Sequence, residues 1–429
     1  MNDVIVVGGG FAGVTAAREA ALRRRKVLLL EARDRLGGRT WTDGWNGLAI
    51  ERGGGWVHWH QPHTWSEVTR GGLAVDLSAD ADRAAWFVGD ERRTGSIRDR
   101  DAIAERGWNR FVAGAEEMLP NPYDPLLAAG PLERLDRLTI AERVSQLDLT
   151  TEEHDVLVAE LESLAHAPID DAGAVSVLRW HVLSGSSLAL TQYAGGRVTL
   201  RDGTVSLLNA IADHVPFERR FETPVSEIEQ RADRVEVTTR SGDTLVARAV
   251  VVAVPLNTLG AISFEPGLSE AKRQGIALGQ ASRGIKIFIH AIGPSGIENT
   301  IRPGHEFGYL DTEYVLADGS QVLIGFGIDA ERCDATDLPS VQGALDRIMP
   351  GCQVLAATAH DWLADEFALG TWAIHRPGWY THHHAAFQEP EGRVVLASSD
   401  IANGWAGFID GAIESGLRGG AFAARIAVA

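Results

Sequence analysis

Four apolar residues, Val4-Ile5-Val6-Val7, open the chain. They break at Gly8-Gly9-Gly10, and apolar positions return at helical spacing before a second unbroken run, Val27-Leu28-Leu29-Leu30, ends at Glu31. Unbroken apolar runs of this length suit strands buried on both faces, and a glycine turn and helix between two of them make one β-α-β unit with parallel strands. From about Arg70 to Gly195 the pattern is mixed. A charged stretch from Asp90 to Arg100, a turn rich in proline (Pro120, Pro122, Pro125) and helical spacing from Thr139 to Leu164 predict a largely helical insertion. Alternation then takes over. Val235 and Val237 on one side and Leu245 and Val246 on the other flank the turn Ser241-Gly242-Asp243, which predicts a hairpin, and the apolar run 249–254 predicts a buried strand stopping at Pro255. The segments 285–290 and 321–328 predict strands of a second sheet, and a strand over 393–398 leads into a helix over 407–424. The result is an α/β chain in which a cofactor domain of three pieces alternates with a substrate domain of two.

At 429 residues the chain exceeds the usual size of one core, in keeping with two domains. Hydrophobic residues at 45% are too abundant for disorder. The net charge of −18 argues against nucleic acid as a partner and suits a cationic small molecule, although a solubilising acidic surface accounts for most of it. Cys333 and Cys352 lack the spacing of a disulfide framework or a zinc site, and reduced thiols are expected. With a strand directly at the N-terminus and no apolar run of membrane length, a cytoplasmic protein without a membrane partner is expected.

Gly8, Gly10 and Gly13 form G-x-G-x-x-G between the first strand and helix, with Phe11 and Ala12 inside the motif and Glu31 at the end of the next strand. Gly8 allows the tight turn, Gly10 lets backbone approach a pyrophosphate at the helix N-terminus, and Gly13 permits close helix packing. Glu31 can accept hydrogen bonds from ribose hydroxyls. Together they predict dinucleotide binding. Lys286 sits in a strand apolar on both faces, where an unpaired ammonium is costly, so a specific hydrogen-bonding partner is expected. The run His382-His383-His384 cannot converge on one ion from regular structure and reads as a surface or loop feature, leaving no metal site.

Residues 31–39 read E-A-R-D-R-L-G-G-R, which resembles the signature that follows the first β-α-β unit in flavin amine oxidases of the monoamine oxidase type. The resemblance implies FAD, with Ala32, Arg33, Gly38 and Arg39 at its pyrophosphate, in a Rossmann-like domain of the glutathione-reductase type. It assigns 1–75, 197–270 and 385–429 to that domain, and 76–196 and 271–384 to a discontinuous α+β substrate domain. ERGGGWVHWHQP (51–62) resembles the family segment beneath the flavin, pointing to Gly54, Gly55 and Trp56, and Thr223-Pro224-Val225 resembles the strand edge that meets adenine through the backbone of Val225. GIKIFIH carries Lys286 where the family's lysine holds a water against flavin N5 and assists the reaction with oxygen. By the same likeness Trp372 in GTWAIHRPG (370–378) and Phe408 in NGWAGFIDGA (403–412) form an aromatic cage, with Ile409 beside the cofactor. Thr371 stands where covalently flavinylated members carry cysteine, so the FAD is expected to be non-covalent. Asp400 in RVVLASSDIA becomes a ribityl or phosphate contact, with Ser398 in place of the usual glycine. The helix over 407–424 would begin at the flavin.

The implied activity is oxidation of a primary or secondary amine, cyclic or N-methyl and nicotine-like among the options, by hydride transfer to flavin N5. The product is an imine, and O2 is reduced to hydrogen peroxide. An amine dehydrogenase with a protein acceptor, a carbon–carbon desaturase or porphyrinogen-type oxidase, and a non-catalytic flavin sensor are the alternatives. A homodimer is the assembly considered. Within the family the chain is most similar to the bacterial 6-hydroxynicotine oxidases. It departs from them at ELESLAHAP (160–168), where those enzymes place a polar asparagine, so the identity of the amine is left open.

Overall fold

The computed structural model describes residues 1–78, 81, 83–302 and 304–428. The first strand, Asn2–Val7, lies inside an eight-stranded sheet, paired in parallel with Val27–Leu30 on one side and Thr244–Val252 on the other. Val4, Ile5 and Val6 are fully buried, because the sheet is covered on both faces and alternation would place polar side chains in the core. The hairpin read around Ser241-Gly242-Asp243 is present as the antiparallel pair Val235–Thr239 and Thr244–Val252, and Val394–Leu396 adds a further parallel strand to the latter. On one face lie two helices from opposite ends of the sequence, Phe11–Leu22 and Ile409–Ile426. A Cβ at Gly416 or Gly420 would overlap the carbonyl of Ala12 or Ala16, so this close crossing requires glycine at both positions.

A second, seven-stranded sheet is built around Ile285–Ile292, Gln321–Gly327 and Tyr309–Val315, paired antiparallel. The segment expected to be a largely helical insertion is only partly so. Arg83–Val88 and Glu91–Gly95 form a hairpin that extends this sheet through a parallel pairing with Ile297–Thr300. The charged residues after Asp90 belong to an edge strand, where polar side chains can face water. Two helices account for the spacing read over 139–164. Ile140–Val144 and Thr151–Ala165 each open with a reciprocal capping box, Thr139 with Glu142 and Thr150 with Glu153.

The histidine run also departs from expectation. It lies in a helical turn, Tyr380–His384, and His384 is buried with Nε2 2.9 Å from Asn403 Oδ1. The turn is drawn inward by Trp379 and Tyr380, which are themselves buried. Among the described residues no group of histidine, cysteine and carboxylate side chains could hold a metal, and Cys333 and Cys352 are free and buried. No described helix is long and apolar enough to cross a membrane.

Candidate active site

One cavity of about 700 Å³ is lined by residues of both sheets. At one end stands the glycine turn. Gly8 has φ +102, and a Cβ there would press on Ala253 O at 2.7 Å; at Gly13 it would overlap Gly8 O. Gly10 is different, since the nearest atom to a Cβ there is 3.9 Å away and Gly10 itself lines the cavity. Gly8 and Gly13 therefore shape the turn, and the missing side chain of Gly10 leaves space for a ligand. Phe11 and Ala12, the first residues of the helix, also lie on the wall. There the N-terminal N–H groups have no partner within the helix and favour an anion.

Glu31 is buried, and its carboxylate accepts from Gly9 N at 2.6 Å and Arg33 N at 2.8 Å, tying the turn to the end of the second strand. Ala32, Arg33, Gly38 and Arg39 line the cavity beside it. Arg33 is ion-paired with Asp365 at 2.6 Å, and its guanidinium lies over Phe367. Arg39 donates to Thr371 O at 2.7 Å and pairs with Asp400. Asp400 is fully buried, does not line the cavity, and accepts from Leu256 N at 2.8 Å and from Ser399 Oγ. Its carboxylate acts through Arg39 rather than on the cavity. Gly13 likewise lies behind the wall, as the packing role requires. The arginine that opens the Leu-Gly-Gly-Arg run, Arg35, is also absent from the wall. It bonds the carbonyls of Leu36, Gly38 and Thr40 and lies over Trp41, so it organises the loop. Val225, Gly54, Gly55, Trp56 and Ile409 complete the part of the wall predicted to face the cofactor.

Glycines that leave the wall open, a carboxylate holding two backbone donors, a helix N-terminus and two anchored arginines fit the nucleotide and diphosphate of FAD.

At the other end, Lys286 is 5% exposed and donates to Gly53 O at 3.0 Å, the partner its strand demanded. Its ammonium lies 4.5 Å from the Trp56 ring. Burial lowers its pKa to about 8, against the opposing pull of Glu313 and Glu51. Trp372 and Phe408 both line the cavity. Phe408, the N-cap of the last helix, packs edge-on against Trp180 and Trp405, at 5.3 Å and 5.0 Å. Trp180 donates to Ala406 O at 3.0 Å, and Arg179 beside it bonds the carbonyls of Asn403 and Gly404, so helix Ala174–Leu183 holds the loop that carries Phe408.

Several wall residues were not singled out in the sequence. Phe326 and Tyr309 pack 6.1 Å apart, with Trp372 6.2 Å from Phe326. Asp311 lines the cavity with its pKa raised to about 7 by burial and by Glu298. An irregularity between Thr312 and Tyr314 brings Glu313 to the wall as well. His166, the left-handed cap of helix Thr151–Ala165, is buried against Trp372. The only local signal for it was a helix ending shortly before Pro168.

A profile of the family described as flavin containing amine oxidoreductase matches residues 11–421. The chain is 37% identical to pseudooxynicotine dehydrogenase of a Pseudomonas species over 421 residues, covering 96% of this chain and 84% of that relative. It is 31% identical to (S)-6-hydroxynicotine oxidase of Paenarthrobacter nicotinovorans, over 97% of each chain. Among solved structures, wild-type putrescine oxidase bound to putrescine matches with a TM-score of 0.84 at 20% identity, covering 98% of both chains, a likeness of fold.

Proposed function

Since the chain belongs to the flavin-containing amine oxidoreductases, we propose that it oxidises the C–N bond of a primary or secondary amine to an imine, with non-covalent FAD and with O2 as the acceptor that becomes hydrogen peroxide. The observation that carries this reading is one continuous cavity that joins the glycine turn, Glu31 and Arg39 to Lys286, Trp372 and Phe408. FAD, held by the glycine turn, Glu31, Arg33 and Arg39, would supply a two-electron acceptor for the amine and, once reduced, a two-electron donor for O2.

Trp372 and Phe408 present apolar ring surface that orients the amine and excludes water. An uncharged amine nitrogen is the reactive form, so no side-chain base is required at the α-carbon. Lys286 donates one Nζ hydrogen to Gly53 O, and its remaining ammonium hydrogens are available to hold a water that assists the oxygen step. Thr371 has no thiol to offer the cofactor, and its carbonyl and hydroxyl are both engaged, which supports non-covalent retention. The aromatic wall of Tyr309, Phe326 and Trp372, together with the nicotine-related names of the two relatives, favours an amine attached to an aromatic ring, cyclic or N-methylated.

Anaerobic mixing of the FAD-loaded protein with cyclic secondary, N-methyl, aryl-alkyl primary and polyamine probes tests the reading. Bleaching of the flavin absorbance by one of these classes is the expected result, and no bleaching by any of them overturns it. Admission of air then distinguishes acceptors. Rapid return of the colour with stoichiometric peroxide supports O2, and return only with an added one-electron acceptor protein supports a dehydrogenase, the term carried by one relative's name.

A further inference from the structure

Two residues at the end of helix Thr151–Ala165, Leu164 and the cap residue His166, hold the indole of Trp372. Its Nε1 donates to Leu164 O at 2.9 Å, and the imidazole of His166 lies flat on its ring, with centroids 4.3 Å apart and planes within 7°. His166 adopts φ +53, which is uncommon for a residue with a side chain. The conformation is maintained by its N–H to Glu162 O at 2.7 Å and by its carbonyl, which accepts from Arg283 N and Gly284 N at 3.1 and 3.0 Å. Gly284 also makes room, since a Cβ there would overlap the imidazole.

The partners of the ring fix its tautomer. Nε2 lies 3.1 Å from Ile285 O, which can only accept, so Nε2 carries the hydrogen. Nδ1 is then the acceptor for the Thr371 hydroxyl at 2.9 Å. Burial pushes the pKa of His166 down to about 3, so the ring stays neutral at every pH where the protein would work. Core packing alone would be met by an apolar side chain. Here both ring nitrogens are paired, and the orientation of the plane is determined by the strand Ile285–Ile292 and the segment that carries Trp372.

We propose that His166 is a positioning residue for the amine oxidation, a platform locked by Thr371 and Ile285 that fixes the plane of Trp372 and thereby the place of the amine. The proposal rests on the reading of Trp372 as a wall of the substrate site. Because Thr371 O also receives Arg39, the same lock joins the substrate wall to the cofactor end of the cavity.

The test uses FAD-loaded protein labelled with 5-fluorotryptophan, in which the line of Trp372 among the 12 tryptophans is identified by its loss in Trp372→Phe. In His166→Leu the Trp372 line broadens and moves, while His166→Phe, which keeps a flat ring but cannot bond Thr371 or Ile285, changes it less. Anaerobic flavin reduction by N-methylbenzylamine slows by about tenfold or more in His166→Leu and by less in His166→Phe, which keeps the stacked ring without its lock. In a Trp372→Leu background, His166→Leu costs no more than about twofold. Thr371→Val, which removes only the hydroxyl, gives the same signature at smaller size should His166→Leu fail to fold. An unmoved Trp372 line, multiplying losses in the double variant, or a His166→Phe protein as slow as His166→Leu overturns the proposal. A parent protein that no amine bleaches overturns the amine-oxidase reading itself, whatever the fluorine spectrum shows.

Discussion

The ammonium of Lys286 donates to the carbonyl of Gly53, tying the strand Ile285–Ile292 of the second sheet to the glycine loop 53–55. Because burial brings the Lys286 pKa down to about 8, its proton is lost more than two pH units earlier than from an exposed lysine. A charged Lys286 is the form that assists oxygen reduction, so reoxidation by O2 is expected to be fastest below pH 8 and to fall as the pH rises through it. Lys286→Met is expected to be slower by about a hundredfold and flat across the same range. Stopped-flow mixing of the reduced protein with aerated buffer measures both, and a variant that reoxidises as fast as the parent removes the role.

Gly10→Ala and Gly13→Ala separate the ligand space from the fold. At Gly10 a methyl group meets nothing closer than 3.9 Å, so the protein is expected to fold and to lose FAD affinity, by about tenfold or more. At Gly13 the methyl overlaps Gly8 O, and the expected outcome is a lowered melting temperature even in the apoprotein. Thermal melts with and without FAD decide. Equal behaviour of the two variants contradicts the assignment.

Glu31→Ala deprives the N–H groups of Gly9 and Arg33 of their acceptor. Hydrogen bonds to a charged group are worth about 1.5–3 kcal/mol, so FAD binding is expected to weaken by at least about tenfold, with Glu31→Gln intermediate. Quenching of flavin fluorescence in a titration of the apoprotein measures it.

Phe408→Ala removes one ring from the cavity wall and leaves Trp180 and Trp405 in place. The expected result is a fall of about tenfold in kcat/KM for the best amine, with FAD content unchanged. Loss of bound FAD in this variant instead would assign Phe408 to the cofactor.

The parts of the fold legible in the sequence are those built from neighbours in the chain. The strand-turn-helix at 4–22 and the hairpin at 241–243 are local events, and their apolar periods report them directly. Arg83–Gly95 escaped because its pairing partner, Ile297–Thr300, lies some two hundred residues away. His166 was hidden for the same reason, since Thr371, Ile285 and Trp372 come to it only through tertiary packing. At the cofactor end, the motif names the loop but cannot say which residue of it is buried. The sequence suggested Asp400 as a direct contact, whereas its carboxylate is taken up by Arg39, Leu256 and Ser399. His384 followed the helical turn into the core, where consecutive histidines had suggested a loop.

The crossing of helices Phe11–Leu22 and Ile409–Ile426 bears on the order of events in the cell. Phe408 and Ile409, which complete the cavity, emerge from the ribosome almost four hundred residues after the glycine turn. A nascent chain therefore displays half a nucleotide cradle with its covering helix still unmade, and a complete cavity awaits synthesis of that helix.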